Sequence, residues 1–189
     1  MLELGTKLPD FSLPDVVSGR VVSQSDIAGR NGSLIMFICN HCPFVKHVLK
    51  EIGRIGHDAP ANGVKVFAIN SNDVQTYPDD APAKMEELAR SEGWTFPYLF
   101  DESQETAKDF HAACTPDFFL FDAAGTLVYR GQLDESRPGN EVPVSGKDLR
   151  EAIDALLSRR PVRAEQKPSI GCNIKWKPGN EPGWFGAGK

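Results

Sequence analysis

The stretch Ser33-Leu-Ile-Met-Phe-Ile-Cys39 is almost continuously apolar, and it runs straight into Cys39-Asn-His-Cys42-Pro43. An apolar run of this length without alternation fits a strand covered on both faces. Beyond it, Phe44, Val45, Val48, Leu49, Ile52 and Ile55 recur at helical spacing. Pro43 stands in the first turn, where its missing N–H costs nothing. Gly53 and Gly56 weaken this helix and leave its end open. A strand buried on both faces needs neighbours at both edges and a covering layer above and below. The chain is therefore predicted to be α/β, with helices on both sides of a sheet.

The rest of the chain agrees. Val64–Asn70 reads as a second buried strand, Ala81–Ser91 as a helix and Phe96–Phe100 as a short strand. Asp101 and Gln104 are placed to cap a helix running to about Ala112. Phe118–Phe121 and Thr126–Arg130 flank Ala-Ala-Gly125 as a tight hairpin. Ser145 and Asp148 open a last helix whose apolar face is Leu149, Ile153, Leu156 and Leu157. Short apolar pieces near Phe11–Leu13 and Val21–Val22 suggest an N-terminal hairpin extension. The order predicts a central mixed sheet flanked by helices.

With 189 residues the chain has the length of one domain. Residues 1–160 are read as that domain. Residues 161–189 hold four Pro and five Gly, together with Trp176, Trp184 and Phe185. Free tails are poor in aromatics, so this tail is expected to dock on the body. Lys plus Arg number 21 against 26 Asp plus Glu, a net charge of −5. No strongly basic stretch exists, which argues against nucleic acid as a partner. No apolar run is long enough to cross a membrane, and the start does not read as a secretory leader. The expectation is a cytoplasmic protein.

The chain has four cysteines, Cys39, Cys42, Cys114 and Cys172, too few and too unevenly placed for a disulfide scaffold. A C-x-x-C between a strand and a helix sets sulfur near unpaired N–H groups and the positive end of the helix dipole, which favours thiolate. The second cysteine lies close enough to close a small disulfide ring. His41, between them, adds positive charge when protonated. Cys39, ending the strand, is expected to face solvent and attack; Cys42, one turn inward, is expected to be shielded and to resolve. The competing reading is a metal or structural module, with the pair joined by His41, His47 or Cys172. No second C-x-x-C or paired histidines supply the remaining ligands, so no metal and no cofactor are expected.

The same residues carry a family resemblance. Gly5-Thr-Lys-Leu-Pro9-Asp-Phe11-Ser-Leu13, Phe37-Ile-Cys39-Asn-His-Cys42-Pro-Phe and Cys114-Thr115-Pro116-Asp-Phe-Phe-Leu-Phe-Asp122 with Gly125 and Gly131 resemble the thioredoxin-fold superfamily. The branch is the redoxins, which join AhpC/TSA peroxiredoxin-like and thiol–disulfide oxidoreductase proteins. The resemblance covers about residues 3–158. It implies a thioredoxin-like fold and a cis bond between Thr115 and Pro116. The loop containing that bond would face the C-x-x-C and leave Thr115's backbone free to pair with a substrate chain. It also implies a thiol–disulfide oxidoreductase acting on protein or small-molecule disulfides and reset by a thiol reductant such as thioredoxin or glutathione. The alternative within the branch is an atypical thiol peroxidase acting on peroxides, with Cys42 in the peroxidatic position. Against that, Cys39 replaces the usual Thr or Ser, and Pro116 falls where an Arg is usual. Relative to thioredoxin, Ile38 replaces a Trp and Ser33 replaces a buried Asp, so the base for the second thiol must come from elsewhere. Cys114 reads as a small buried apolar residue or a redox thiol near the pair. Cys172, in Ser169-Ile-Gly-Cys172-Asn-Ile-Lys-Trp176, reads equally as a third redox cysteine or a buried thiol.

Overall fold

The computed structural model describes residues 2–186; residue 1 and residues 187–189, the ends of the two expected segments, lie outside it. In chain order the elements are β1 (Ser12–Pro14), β2 (Val21–Ser23), α1 (Gln24–Ile27), β3 (Gly32–Phe37), α2 (Pro43–Ala61) and β4 (Val64–Asn70). A 3-10 turn (Pro78–Asp80) leads into α3 (Pro82–Ser91), β5 (Tyr98–Phe100) and α4 (Glu105–Asp109). Then follow β6 (Cys114–Thr115), β7 (Asp117–Asp122), β8 (Leu127–Gly131), α5 (Lys147–Leu157) and, in the tail, β9 (Cys172–Asn173). Five strands form the central sheet in the order β5-β4-β3-β7-β8. β3 runs parallel to β4 and antiparallel to β7, so the sheet is mixed. This is the thioredoxin-like arrangement. β1 and β2 pair as the N-terminal hairpin.

β3 is buried along its whole length and splits its side chains by strict alternation. Leu34, Met36 and Ile38 point to one core, with Val45, Val48 and Ile52 of α2, Met85 and Ala89 of α3, and Leu149 and Ile153 of α5. Ile35 and Phe37 point to the other, with Phe110, Phe119, Phe121, the N-terminal Leu8 and Phe11, and the tail's Ile174 and Trp176. Each large side chain fully buried here contributes about 1.5–3 kcal/mol.

α2 passes through both glycines without a break. Gly56 is there for packing: a Cβ on it would lie 2.1 Å from the Phe96 ring. α4 is shorter than the expected helix to Ala112, and Gln104 does not cap it with its side chain. Asp101 does the work instead, its carboxylate accepting from the Ala107 N–H at 3.0 Å and from Ser71 at 2.7 Å. Gln104 turns away to the tail. Its amide donates to the Ser71 and Lys175 carbonyls and accepts from the Lys177 N–H. Asn72 accepts from the Lys175 N–H at 2.9 Å. Ile174 and Trp176 are buried, and Trp184 stacks on His111.

Candidate active site

The register of β3 against β7 pairs Phe37 with Asp117. Two short segments therefore meet at this end of the sheet. One is Ile38 to Cys42, leaving β3; the other is Thr115-Pro116, entering β7 through a cis peptide bond. Both cysteines of the C-x-x-C touch Thr115. The Cys39 sulfur lies 3.3 Å from its hydroxyl, and the Cys42 thiol donates to its carbonyl at 3.3 Å.

The two sulfurs sit in unlike electrostatic settings. Cys42 is the N-cap of α2, with Pro43 as the first helical residue. The Cys39 thiol, directed at the Cys42 sulfur, is the largest influence favouring its anion; the Cys172 thiol and the N–H groups of Val45 and Cys172 add to it. Against burial, these donors hold Cys42 well below the ordinary thiol value. The dipole of a 19-residue helix acts in the same sense. Cys39 is pushed up, first by its bond to Cys42, then by burial and by the Asp80 carboxylate. Both cysteines are fully buried. The expectation that Cys39 faces solvent at the helix N-terminus is thus corrected. The motif turns before the helix begins, so the second cysteine, not the first, caps it.

Asp80 is the buried charge of the site. One oxygen accepts from the Asn40 N–H at 2.7 Å and the His41 N–H at 3.3 Å. The other meets His41 Nδ1 at 2.5 Å and the Asn72 side-chain amide at 2.8 Å. His41 also stacks on Tyr77, 5.0 Å between centroids. Tyr98 donates to the Asn40 side chain at 3.2 Å. The Asn-His turn between the cysteines is thereby fastened to the 3-10 turn. Sequence reasoning passed over Asp80 and Tyr77. The available signal was Tyr77-Pro78-Asp79-Asp80-Ala81-Pro82, acidic residues framed by prolines beyond the carboxyl end of a strand.

Cys39, His41 and Asp80 are the one group among the described residues whose ligand atoms could gather on a metal, all lying within 4.8 Å of one another. The acceptor positions of Asp80 are already taken by the four donors just named. A metal would have to displace bonds that hold the turn. His47, further along α2, is outside this group.

The remaining candidates separate. Cys114 is buried, and burial pushes its thiol up; its only hydrogen bond is a long one of 3.9 Å to the Pro116 carbonyl. Cys172 is half-buried and lies against Cys42. Thr115 does not have a free backbone: it pairs with Cys172 of β9, and Cys114 with Asn173.

The chain is similar to proteins of known family and structure. A curated relative, the thiol:disulfide interchange protein DsbE of Allochromatium vinosum, is 25% identical over 154 residues, covering 80% of this chain and 74% of its own. The crystal structure of an uncharacterized conserved protein from Geobacillus kaustophilus superposes with a TM-score of 0.92 at 54% identity, over 94% of each chain. That of a hypothetical protein from Sinorhizobium meliloti 1021 gives a TM-score of 0.92 at 44% identity, over 95% of this chain and 97% of its own. The AhpC/TSA family profile matches residues 4–130. A match over that span, on a thioredoxin-like sheet with the cysteine pair and the cis-proline loop face to face, means that the chain belongs to the AhpC/TSA family.

Proposed function

We propose that this protein is a thiol–disulfide oxidoreductase in which Cys42 attacks and Cys39 resolves. The observation that carries the assignment is the contrast between the two sulfurs. Cys42 stands at the N-cap position of α2, where the helix dipole favours its anion, whereas Cys39 lies beside the buried Asp80 carboxylate. The thiolate is the nucleophile, so the sulfur whose anion is favoured attacks. The Cys42 thiolate attacks one sulfur of a substrate disulfide; a mixed disulfide forms and one substrate thiolate leaves. Cys39 then gives up its proton and attacks the Cys42 sulfur. The Cys39–Cys42 disulfide closes and the second substrate thiol departs, so the substrate gains two electrons and the enzyme loses them. His41, with a ring nitrogen within 4.8 Å of the Cys39 sulfur, is the group placed to take its proton. A thiol reductant such as thioredoxin or glutathione returns the pair to the dithiol, and the reverse sequence oxidises substrates. The cysteine usage supports a cytoplasmic setting.

A second reading, peroxide reduction, is favoured by the place of Cys42 at the helix N-cap. There the Cys42 thiolate would take one peroxide oxygen as sulfenic acid, the O–O bond breaking and the other oxygen leaving as water or an alcohol, and Cys39 would condense with the sulfenic acid to a disulfide, releasing water. Pro116 in place of an arginine leaves the peroxide without a polarising cation, so disulfide exchange is preferred.

The test is trapping with an aromatic disulfide, dithiobis(nitrobenzoate), in Cys39→Ser/Cys172→Ser and in Cys42→Ser. The first should hold one nitrobenzoate adduct on Cys42. A stable adduct on Cys39 in the second variant, with none on Cys42 in the first, reverses the roles. Peroxide consumption by wild type faster than disulfide exchange would favour the second reading.

A further inference from the structure

Resting on Cys42 as the attacking sulfur, we propose that Cys172 is a third redox residue, carried by a tail strand that occupies the substrate-docking edge and closing a disulfide with Cys42 in competition with Cys39. Three observations converge. First, β9 is antiparallel to β6 with Cys172 opposite Thr115, the residue that precedes the cis-proline. An extended substrate chain would use this same edge. Second, Gly171 approaches the loop so closely that a Cβ on it would lie 2.0 Å from the Thr115 carbonyl oxygen. No side chain fits there while the strand stays seated. Third, the Cys39 and Cys42 sulfurs both bond Thr115, the residue that stands opposite Cys172, so the three cysteines converge on one residue.

The tail's seat is built rather than incidental. Beyond Cys172, the Ile174 N–H donates to the Ala113 carbonyl at 3.1 Å, and the Asp73 N–H donates to the Lys175 carbonyl at 2.8 Å. Asn72 and Gln104 hold the Lys175 and Lys177 N–H groups. Asn72 is also bonded to Asp80, so one side chain joins the tail to the cysteine turn.

The chemistry is redox-neutral exchange. The Cys172 thiolate attacks the Cys42 sulfur of the Cys39–Cys42 disulfide. The Cys42–Cys172 bond forms, the Cys39–Cys42 bond breaks, and Cys39 leaves as a thiolate that takes the proton Cys172 gave up. No external oxidant enters this step; the disulfide itself came from the substrate disulfide. The same attack on a Cys42–substrate mixed disulfide releases the substrate thiol. Either route leaves the disulfide between fully buried Cys42 and half-buried Cys172 rather than between two fully buried residues.

The experiment reads disulfides by peptide mapping after acid quench. Cys39→Ser, with Cys172 intact, is mixed with dithiobis(nitrobenzoate). The expected product is a Cys42–Cys172 disulfide with two nitrobenzoate thiolates released per chain. A persistent Cys42–nitrobenzoate adduct in that variant overturns the inference while leaving Cys42 as the attacking sulfur. Absence of any Cys42 adduct in Cys39→Ser/Cys172→Ser overturns the underlying assignment as well. A second arm compares wild type with Gly171→Ala, both of which keep all four cysteines. Limiting probe should yield both Cys39–Cys42 and Cys42–Cys172 disulfides. Gly171→Ala, which unseats the strand, should yield Cys39–Cys42 alone. An unchanged partition in Gly171→Ala also refutes the inference.

Discussion

Asp117 follows the cis-proline and is fully buried in β7, and burial pushes its carboxyl up to about 7. An unfolded aspartate ionises near 3.8. Between those values the folded protein holds a proton that the unfolded chain has lost. The folded state thus binds more protons, and stability falls as pH rises through the window. The full cost is the difference of about 3 units at ~1.4 kcal/mol each, or ~4 kcal/mol, reached above the folded value. Between pH 5 and pH 8 the loss is roughly 2–3 kcal/mol, because part is already incurred by pH 5. Asp117→Asn keeps the side-chain oxygen that accepts from the Phe118 N–H at 3.1 Å and removes the titration. Urea unfolding of both proteins from pH 5 to pH 8 gives the stability difference at each pH. Relative to the variant, wild type should lose ~2–3 kcal/mol across that range. A difference that stays flat, or grows in favour of wild type, refutes burial as the cause.

Two further outcomes follow from the same packing and bonding. Gly53 and Gly56 should respond to alanine with opposite signs. In Gly53→Ala the Cβ meets Trp94 at an ordinary 3.5 Å, so helix propensity should stabilise by about 0.5–1 kcal/mol. In Gly56→Ala the clash with Phe96 should outweigh that gain and destabilise by about 1–3 kcal/mol in thermal or urea melts. Equal signs would count against the packing account. Asp80→Asn leaves an oxygen for the Asn40 and His41 N–H groups but sets one amide donor against another at Asn72. It should cost about 1–3 kcal/mol and hasten proteolytic cleavage within residues 172–180. Unchanged tail protection would show that Asp80 does not support the tail through Asn72.

The alternation of strand and helix was legible because it depends on local periodicity. β3, α2, β4 and the β7–β8 hairpin all lie where apolar spacing and Gly125 put them. The C-x-x-C was legible because its sequence context, an apolar run ended by cysteine and restarted by proline, has few other uses. Gln104 was misread because its capping potential is local, whereas its side-chain bonds go to residues 33 to 76 positions away. Asp80 was missed because a carboxylate's partners in a loop are set by what folds over it.

The sequence by itself determined the fold class, the meeting of two thiols before a helix and the aromatic character of the tail. Those properties follow from residue type and near-neighbour spacing. Only the tertiary structure decided the surroundings of each thiol, since those depend on where the helix begins and on a carboxylate 41 residues further on in the chain, as Cys39 and Asp80 are numbered. It also decided that the edge beside the cis-proline is occupied from within the chain. β6 and β9 pair across more than 50 residues of chain, from Thr115 to Cys172, and the pairing rests on long-range hydrogen bonds and a glycine close approach. No local pattern encodes contacts of that kind, because their energy appears only once both segments are already in place.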